Sequence, residues 1–199
     1  MLRRWIMLVS GAAVAAGCSA EHPVPTDFEV VSPLFAKGGN AGVNMGTHLT
    51  GDEEVLSVAE GAPHPRDSHA QGQAIFRVSG SSVEFRLIAA NIDNVIMAHI
   101  HCGRFGENGP IRMWLHPVIG TSGAAGPSGL GAHDGVLASG TFSAAGVTCP
   151  AANVGTDMPL LDAIRAGLTY VNVHTNDGVT PTNTGPGDFP GGEVRGQID

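Results

Sequence analysis

Ala74-Ile75-Phe76-Arg77-Val78, then Ser79-Gly80-Ser81-Ser82, then Val83-Glu84-Phe85-Arg86-Leu87-Ile88, is the stretch on which the fold turns. Its second arm alternates apolar and polar side chains, the period of a strand with one wet face. The four small residues between the arms are turn chemistry, so the whole reads as a hairpin. Outward from it lie more short segments of the same kind: Val95 to His101, Ile111 to Leu115, Val136 to Phe142, Tyr170 to His174 and Glu193 to Ile198. Short strands joined by glycine-rich turns predict an all-β fold, an antiparallel sandwich or barrel. One helix interrupts the pattern at Leu160-Leu161-Asp162-Ala163-Ile164-Arg165-Ala166, with Pro159 suited to its first turn and Gly167 placed to stop it. At about two turns it needs tertiary packing to persist.

The front of the chain reads differently. Arg3 and Arg4 precede a short apolar run, Trp5 to Ala16, which falls short of the about 20 residues a membrane helix requires. The run closes on Ala15-Ala16-Gly17-Cys18, which resembles a bacterial lipoprotein signal. The resemblance implies cleavage after residue 17, diacylglycerol on the Cys18 sulfur and a lipid-anchored protein of the bacterial cell envelope. Ser19 after the cysteine resembles the default for outer-membrane sorting. Plain secretion with cleavage near Ala20 is the alternative. Residues 18–43, with prolines and glycines and little periodicity, read as a tether carrying one short strand at Phe28-Glu29-Val30-Val31. Residues 44–199 then form a single domain.

The formal charge is −8, and loss of Arg3 and Arg4 makes the remainder more acidic. An acidic domain argues against nucleic acid as a partner. The expected partners are the bilayer, through acylated Cys18, and an unidentified protein or metal ion. With Cys18 acylated, Cys102 and Cys149 remain, and an oxidising compartment makes an even pair a disulfide candidate. A bridge closing about 46 residues would stabilise the fold by roughly 3–4 kcal/mol. Two unpaired thiols, or Cys102 as a ligand beside the histidines, are the alternatives. Two loops, Gly120 to Gly135 and Asn176 to Gly192, are long and rich in small residues.

Five stretches, in order, resemble the CHRD domain, named after chordin and also present in bacterial envelope proteins. They are Leu49-Thr50-Gly51-Asp52-Glu53-Glu54-Val55; Ala98-His99-Ile100-His101 with Asn108-Gly109-Pro110; Ser139-Gly140-Thr141-Phe142; Leu160 to Gly167; and Tyr170 to Thr175 with Gly192-Glu193-Val194-Arg195-Gly196-Gln197-Ile198. The resemblance spans about residues 45 to 198. It departs at Cys102, where the family commonly has Gly, and at Leu56-Ser57, where Pro-Pro is usual. It implies a Greek-key β-barrel, immunoglobulin-like or superoxide-dismutase-like, and says little about activity. In chordin such domains belong to a protein that binds growth factors, so a non-enzymatic binding or interaction module is the expectation. No serine-hydrolase elbow, phosphate-binding loop or His-Glu-X-X-His motif supports an enzyme class.

On a strand of period two, His99 and His101 share one face with Val95 and Met97, while Ala98, Ile100 and Cys102 take the other. His-X-His also resembles the copper-binding strand of Cu/Zn superoxide dismutase, and Val173-His174 resembles its late strand bearing another copper histidine. If the two strands are neighbours, His99, His101 and His174 form a candidate site for copper or zinc, with Met97 as a soft donor for Cu(I). Such a site predicts proton-dependent affinity, because each imidazole must be neutral. Structural histidines bonded to loop carbonyls are the competing reading. Further dismutase ligands would have to come from His69, His116 or His133, none in a matching motif. Glu193 and Arg195 are expected to pair as ions and pin the last strand. Trp114 serves one sugar or fills the core.

Overall fold

The computed structural model describes residues 42–56 and 66–199. The expected signal segment, Cys18, the strand at 28–31 and nearly all of the expected tether lie outside the described residues. Among the described residues the order is β1 (Val43–Thr50), a 3-10 turn (Gly51–Glu53), β2 (Gln71–Ser79), β3 (Ser82–Asp93), β4 (Val95–Cys102), β5 (Ile111–His116), β6 (Ala132–Ser143), β7 (Thr148–Cys149), α1 (Ala151–Val154), β8 (Met158–Pro159), α2 (Leu160–Arg165), β9 (Thr169–Thr175) and β10 (Val194–Gln197). Every strand predicted there forms, with ends moved by no more than five residues. The largest changes are the end of β3, which runs on from Ile88 to Asp93, and the start of β6 at Ala132, which takes the end of the first expected loop.

Eight strands make one antiparallel sheet in the order β5-β4-β9-β10-β1-β2-β3-β6, and its edges β5 and β6 approach each other, so the barrel is nearly closed. β4, β5 and β6 run in sequence around it and β3 lies beside β6, which is the Greek-key arrangement. The deciding hairpin forms, with Val78 opposite Val83; Ser79 pairs with Ser82, so the expected four-residue turn tightens to the two residues Gly80-Ser81. Its inner face contributes Phe76, Phe85 and Leu87, all within 2 % of full burial. Each such side chain stabilises the fold by roughly 1.5–3 kcal/mol.

α2 packs Leu160, Ala163 and Ile164 against the core. It ends as a Schellman motif: Gly167 takes φ +66°, its N–H reaches the Ile164 carbonyl and the Leu168 N–H reaches that of Ala163. A second short helix, α1, and the β7–β8 ladder were not anticipated. Asp157 accepts the Ala151 N–H and holds the first turn of α1.

β4 and β9 sit side by side in the sheet. Ala98, Ile100 and Cys102 of β4 and Val171 and Val173 of β9 enter the core. Cys102 is bonded to Cys149, with Cα atoms 5.6 Å apart and both residues fully buried, so β4 is tied to β7. The cysteine is therefore engaged on the inner face and is no ligand beside the histidines. Val95 departs from the period-two expectation. A register irregularity between Val95 and Met97 breaks the alternation, and Val95 belongs to the core instead of the histidine face.

Candidate metal centre

β9 is buried along its whole length and β4 nearly so, although a barrel strand has only one face toward the core. The outer face is covered as well, by loops, and it is polar. Across the sheet the register places Trp114, His99, Asn172 and Arg195 in one row, and His101 beside Tyr170 in the next. Met97 stands opposite His174. His99 is 0 %, His101 7 % and His174 5 % exposed.

The three histidines converge. One potential ligand nitrogen from each lies within 4.8 Å of the others, and His99 Nδ1 is 3.2 Å from His174 Nε2. Two of the rings are oriented by backbone carbonyls. His101 Nδ1 is 2.9 Å from the Gly109 oxygen, and His174 Nδ1 is 3.0 Å from the Pro190 oxygen. A carbonyl only accepts, so in both neutral rings the proton sits on Nδ1 and the lone pair on Nε2. His101 Nε2 and His99 Nε2 are buried and have no hydrogen-bond partner among the described residues. Histidine metal ligands are typically fixed in this way, the second ring nitrogen donating to a carbonyl or carboxylate.

Burial keeps the His99 and His101 rings neutral. His99 is pushed down to about 2 by desolvation, helped by His174 and His101. His101 is pushed down to about 3, mainly by desolvation against an opposing bond to Gly109, with His174 and Arg195 adding to the effect. The expected proton competition for a metal therefore moves far below neutral pH.

The family stretches build the cover of this face. Asn108 donates to the Val55 carbonyl at 2.7 Å and accepts from Arg195 Nη1 at 3.1 Å. Gly109 donates its N–H to the Tyr170 hydroxyl at 3.0 Å while its carbonyl takes His101. A Cβ at Gly109 would overlap the Cys102 carbonyl, so only glycine allows the loop this close. Arg195 lies 3.5 Å from the centroid of the Tyr170 ring and donates Nη2 to the carbonyls of Glu107 (2.9 Å) and Arg104 (3.2 Å). Tyr170 in turn stacks on His101, centroids 4.8 Å apart and planes at 10°.

Glu193 and Arg195 do not form the expected ion pair. Glu193 precedes β10 and accepts from Ser68 Oγ and Thr175 Oγ1, both at 2.6 Å, and from the Gly187 N–H at 3.0 Å. It holds the 176–192 loop through the Gly187 N–H, and ties that point to Ser68 and Thr175 through their hydroxyls. Glu54, fully covered, accepts from Asn172 Nδ2 at 3.3 Å. Its carboxyl is raised to about 7 by desolvation, only partly offset by Arg195. The dismutase-like extras do not join the triad. His116 and His133 line a separate cavity of about 200 Å³ with Val95, Leu130 and Leu137. His69 is exposed. Trp114 is half-buried and packs edge-to-face on His99 with centroids 4.1 Å apart, outside the inner core. That neighbour, and the Glu54–Asn172 contact beneath the loops, were not foreseen. The one local signal for Asn172 was its place two residues before His174 on the same face.

A family model described as the CHRD domain matches residues 45–198. No curated protein and no solved structure matches the chain.

Proposed function

The chain belongs to the CHRD domain family, and from that premise we propose that it is a non-enzymatic binding module whose ligand is a transition-metal ion, copper or zinc, held by His99, His101 and His174. The observation that carries this reading is the convergence of three imidazoles, two of which, His101 and His174, are oriented from behind by backbone carbonyls. His101 and His174 offer Nε2, and His99 offers Nδ1, the atom that faces His174. Structural histidines alone would leave His99 Nε2 and His101 Nε2 buried at a cost of about 1–3 kcal/mol each. A bound cation instead uses the His101 lone pair.

The domain's setting is part of the proposal. The Ala15-Ala16-Gly17-Cys18 sequence supports acylation of Cys18 and display at the bacterial envelope, where metal ions arrive from outside. Two or three acyl chains anchor stably where one is marginal. Mass spectrometry of the membrane fraction tests the anchor, with a diacylglycerol adduct that Cys18→Ser abolishes.

The metal site is tested by equilibrium dialysis against copper and zinc followed by elemental analysis. About one equivalent is expected per chain, by the one-site geometry. A His99→Ala/His101→Ala variant should lose it. Metal content at background in the parent protein would sink the reading.

A further inference from the structure

Taking the metal-binding reading as its basis, we infer that the site selects the cuprous ion over zinc and the cupric ion. Among the described residues the cluster holds three imidazoles and no carboxylate or thiolate. Cys102 lies on the opposite face in its disulfide. Both Glu193 oxygens are bonded to Ser68, Thr175 and the Gly187 N–H, and Glu54, which is not a member of the cluster, directs Oε1 to Asn172 and the Val55 N–H. A metal ion here keeps its full charge. Desolvation energy scales with the square of that charge, so a dication costs about four times as much to bury as a monocation.

A fixed cation adds to the penalty. Arg195 is 1 % exposed and lies over Tyr170, which stacks on His101. Its charge repels a dication twice as strongly as a monocation.

Coordination number points the same way. Zinc sites are almost always four-coordinate, and cupric ions favour tetragonal N and O sets. The cuprous ion is satisfied by two or three donors. Three nitrogens beneath closed loops, with exposures of 7 % or less, leave little room for the waters that would complete a divalent shell. Met97, in register with His174, places a thioether on the same strand pair, and thioethers favour Cu(I). The opposing influence is the intrinsic preference of imidazole for divalent copper in the Irving–Williams order. In an uncharged, enclosed, three-donor site the charge and coordination effects outweigh it.

The test uses the full chain under anaerobic conditions. Cu(I) is titrated against a colorimetric cuprous chelator, and Zn(II) and Cu(II) against chelators of known affinity. The expected result is one equivalent of Cu(I) held at least about tenfold more tightly than either dication, and lost in His99→Ala/His101→Ala. Zinc or cupric ion bound equally or more tightly at the same histidines overturns this inference and leaves the metal-binding reading standing. Cu(I) that survives in the double variant also overturns it. Failure of all three ions to bind removes both.

Discussion

The β4–β9 strand pair has two buried faces made of alternate residues, and they are held by different means. The inner face (Ala98, Ile100, Cys102, Val171, Val173) is sealed by apolar packing and a disulfide. The outer face (His99, His101, Tyr170, Asn172, His174) is sealed by loops that bring carbonyls and a guanidinium to it. Apolar contacts are non-directional, so the inner face needs only volume and pattern. The outer face needs each polar atom matched, and the buried atoms left unmatched there include His99 Nε2, His101 Nε2, Asn172 Oδ1 and Glu54 Oε2. One face stores stability. The other has a shape and a donor set that apolar packing would never require.

Acid separates the two faces most strongly. His99 and His101 are neutral in the fold down to about 2 and 3, against 6.5 when unfolded. The unfolded chain therefore binds more protons below pH 6.5, and their stabilising contribution is lost progressively as pH falls from there. Glu54 has the opposite sign. Its folded value of about 7 lies above the unfolded 4.5, so its contribution is present below about 4.5 and lost as pH rises to 7. With about 1.4 kcal/mol per pH unit per group, the metal-free domain should lose a net of about 2–3 kcal/mol between pH 7.5 and 4.5. Glu54→Gln removes the offset and should deepen that loss to about 5 kcal/mol in urea titrations. Equal pH profiles for the two proteins would contradict the assignment of Glu54.

The inner face is probed by Cys102→Ser/Cys149→Ser. Loss of the bridge should lower stability by roughly 3–4 kcal/mol in denaturant melts. Metal stoichiometry should stay unchanged, because Cys102 points away from the histidines. A parallel loss of metal would show the faces to be one unit.

Arg195→Met attacks the outer cover. It strips donors from Asn108, Arg104 and Glu107 and uncovers Tyr170, which should destabilise by about 2–3 kcal/mol. The His101–Gly109 bond belongs to the same loop, so metal affinity should fall too, as measured by chelator competition. The smallest expected change is in metal retention by the parent protein between pH 7.5 and 5. It should be nearly flat, since neither His99 nor His101 takes up a proton in that range. A steep loss near 6.5 would mark solvent-exposed imidazoles.

Local periodicity accounts for what was legible in the sequence. Alternation put Cys102 opposite His99 and His101, and the hairpin register followed from the turn between Val78 and Val83. The irregularity that sent Val95 inward has no sequence signature, because it is a mismatch between two strands rather than a property of one. α1 and the β7–β8 ladder are too short to show a period. The Glu193–Arg195 pair failed for a related reason. Residues i and i+2 share a face only within a strand, and Glu193 lies before β10, among hydroxyl donors. The polar cover depends on contacts such as Glu54–Asn172, across 118 residues, and Arg195–Asn108, across 87. The family stretches marked those residues without saying what they touch.

The most direct measurement of the central claim is the long-range proton–nitrogen NMR spectrum of the histidine rings during titration with diamagnetic Cu(I) or Zn(II). His99 Nδ1 and the Nε2 atoms of His101 and His174 should shift together and saturate at one equivalent, while the Nδ1 protons of His101 and His174 stay in place. Rings that remain unmoved, or shifts confined to exposed histidines such as His69, would contradict it.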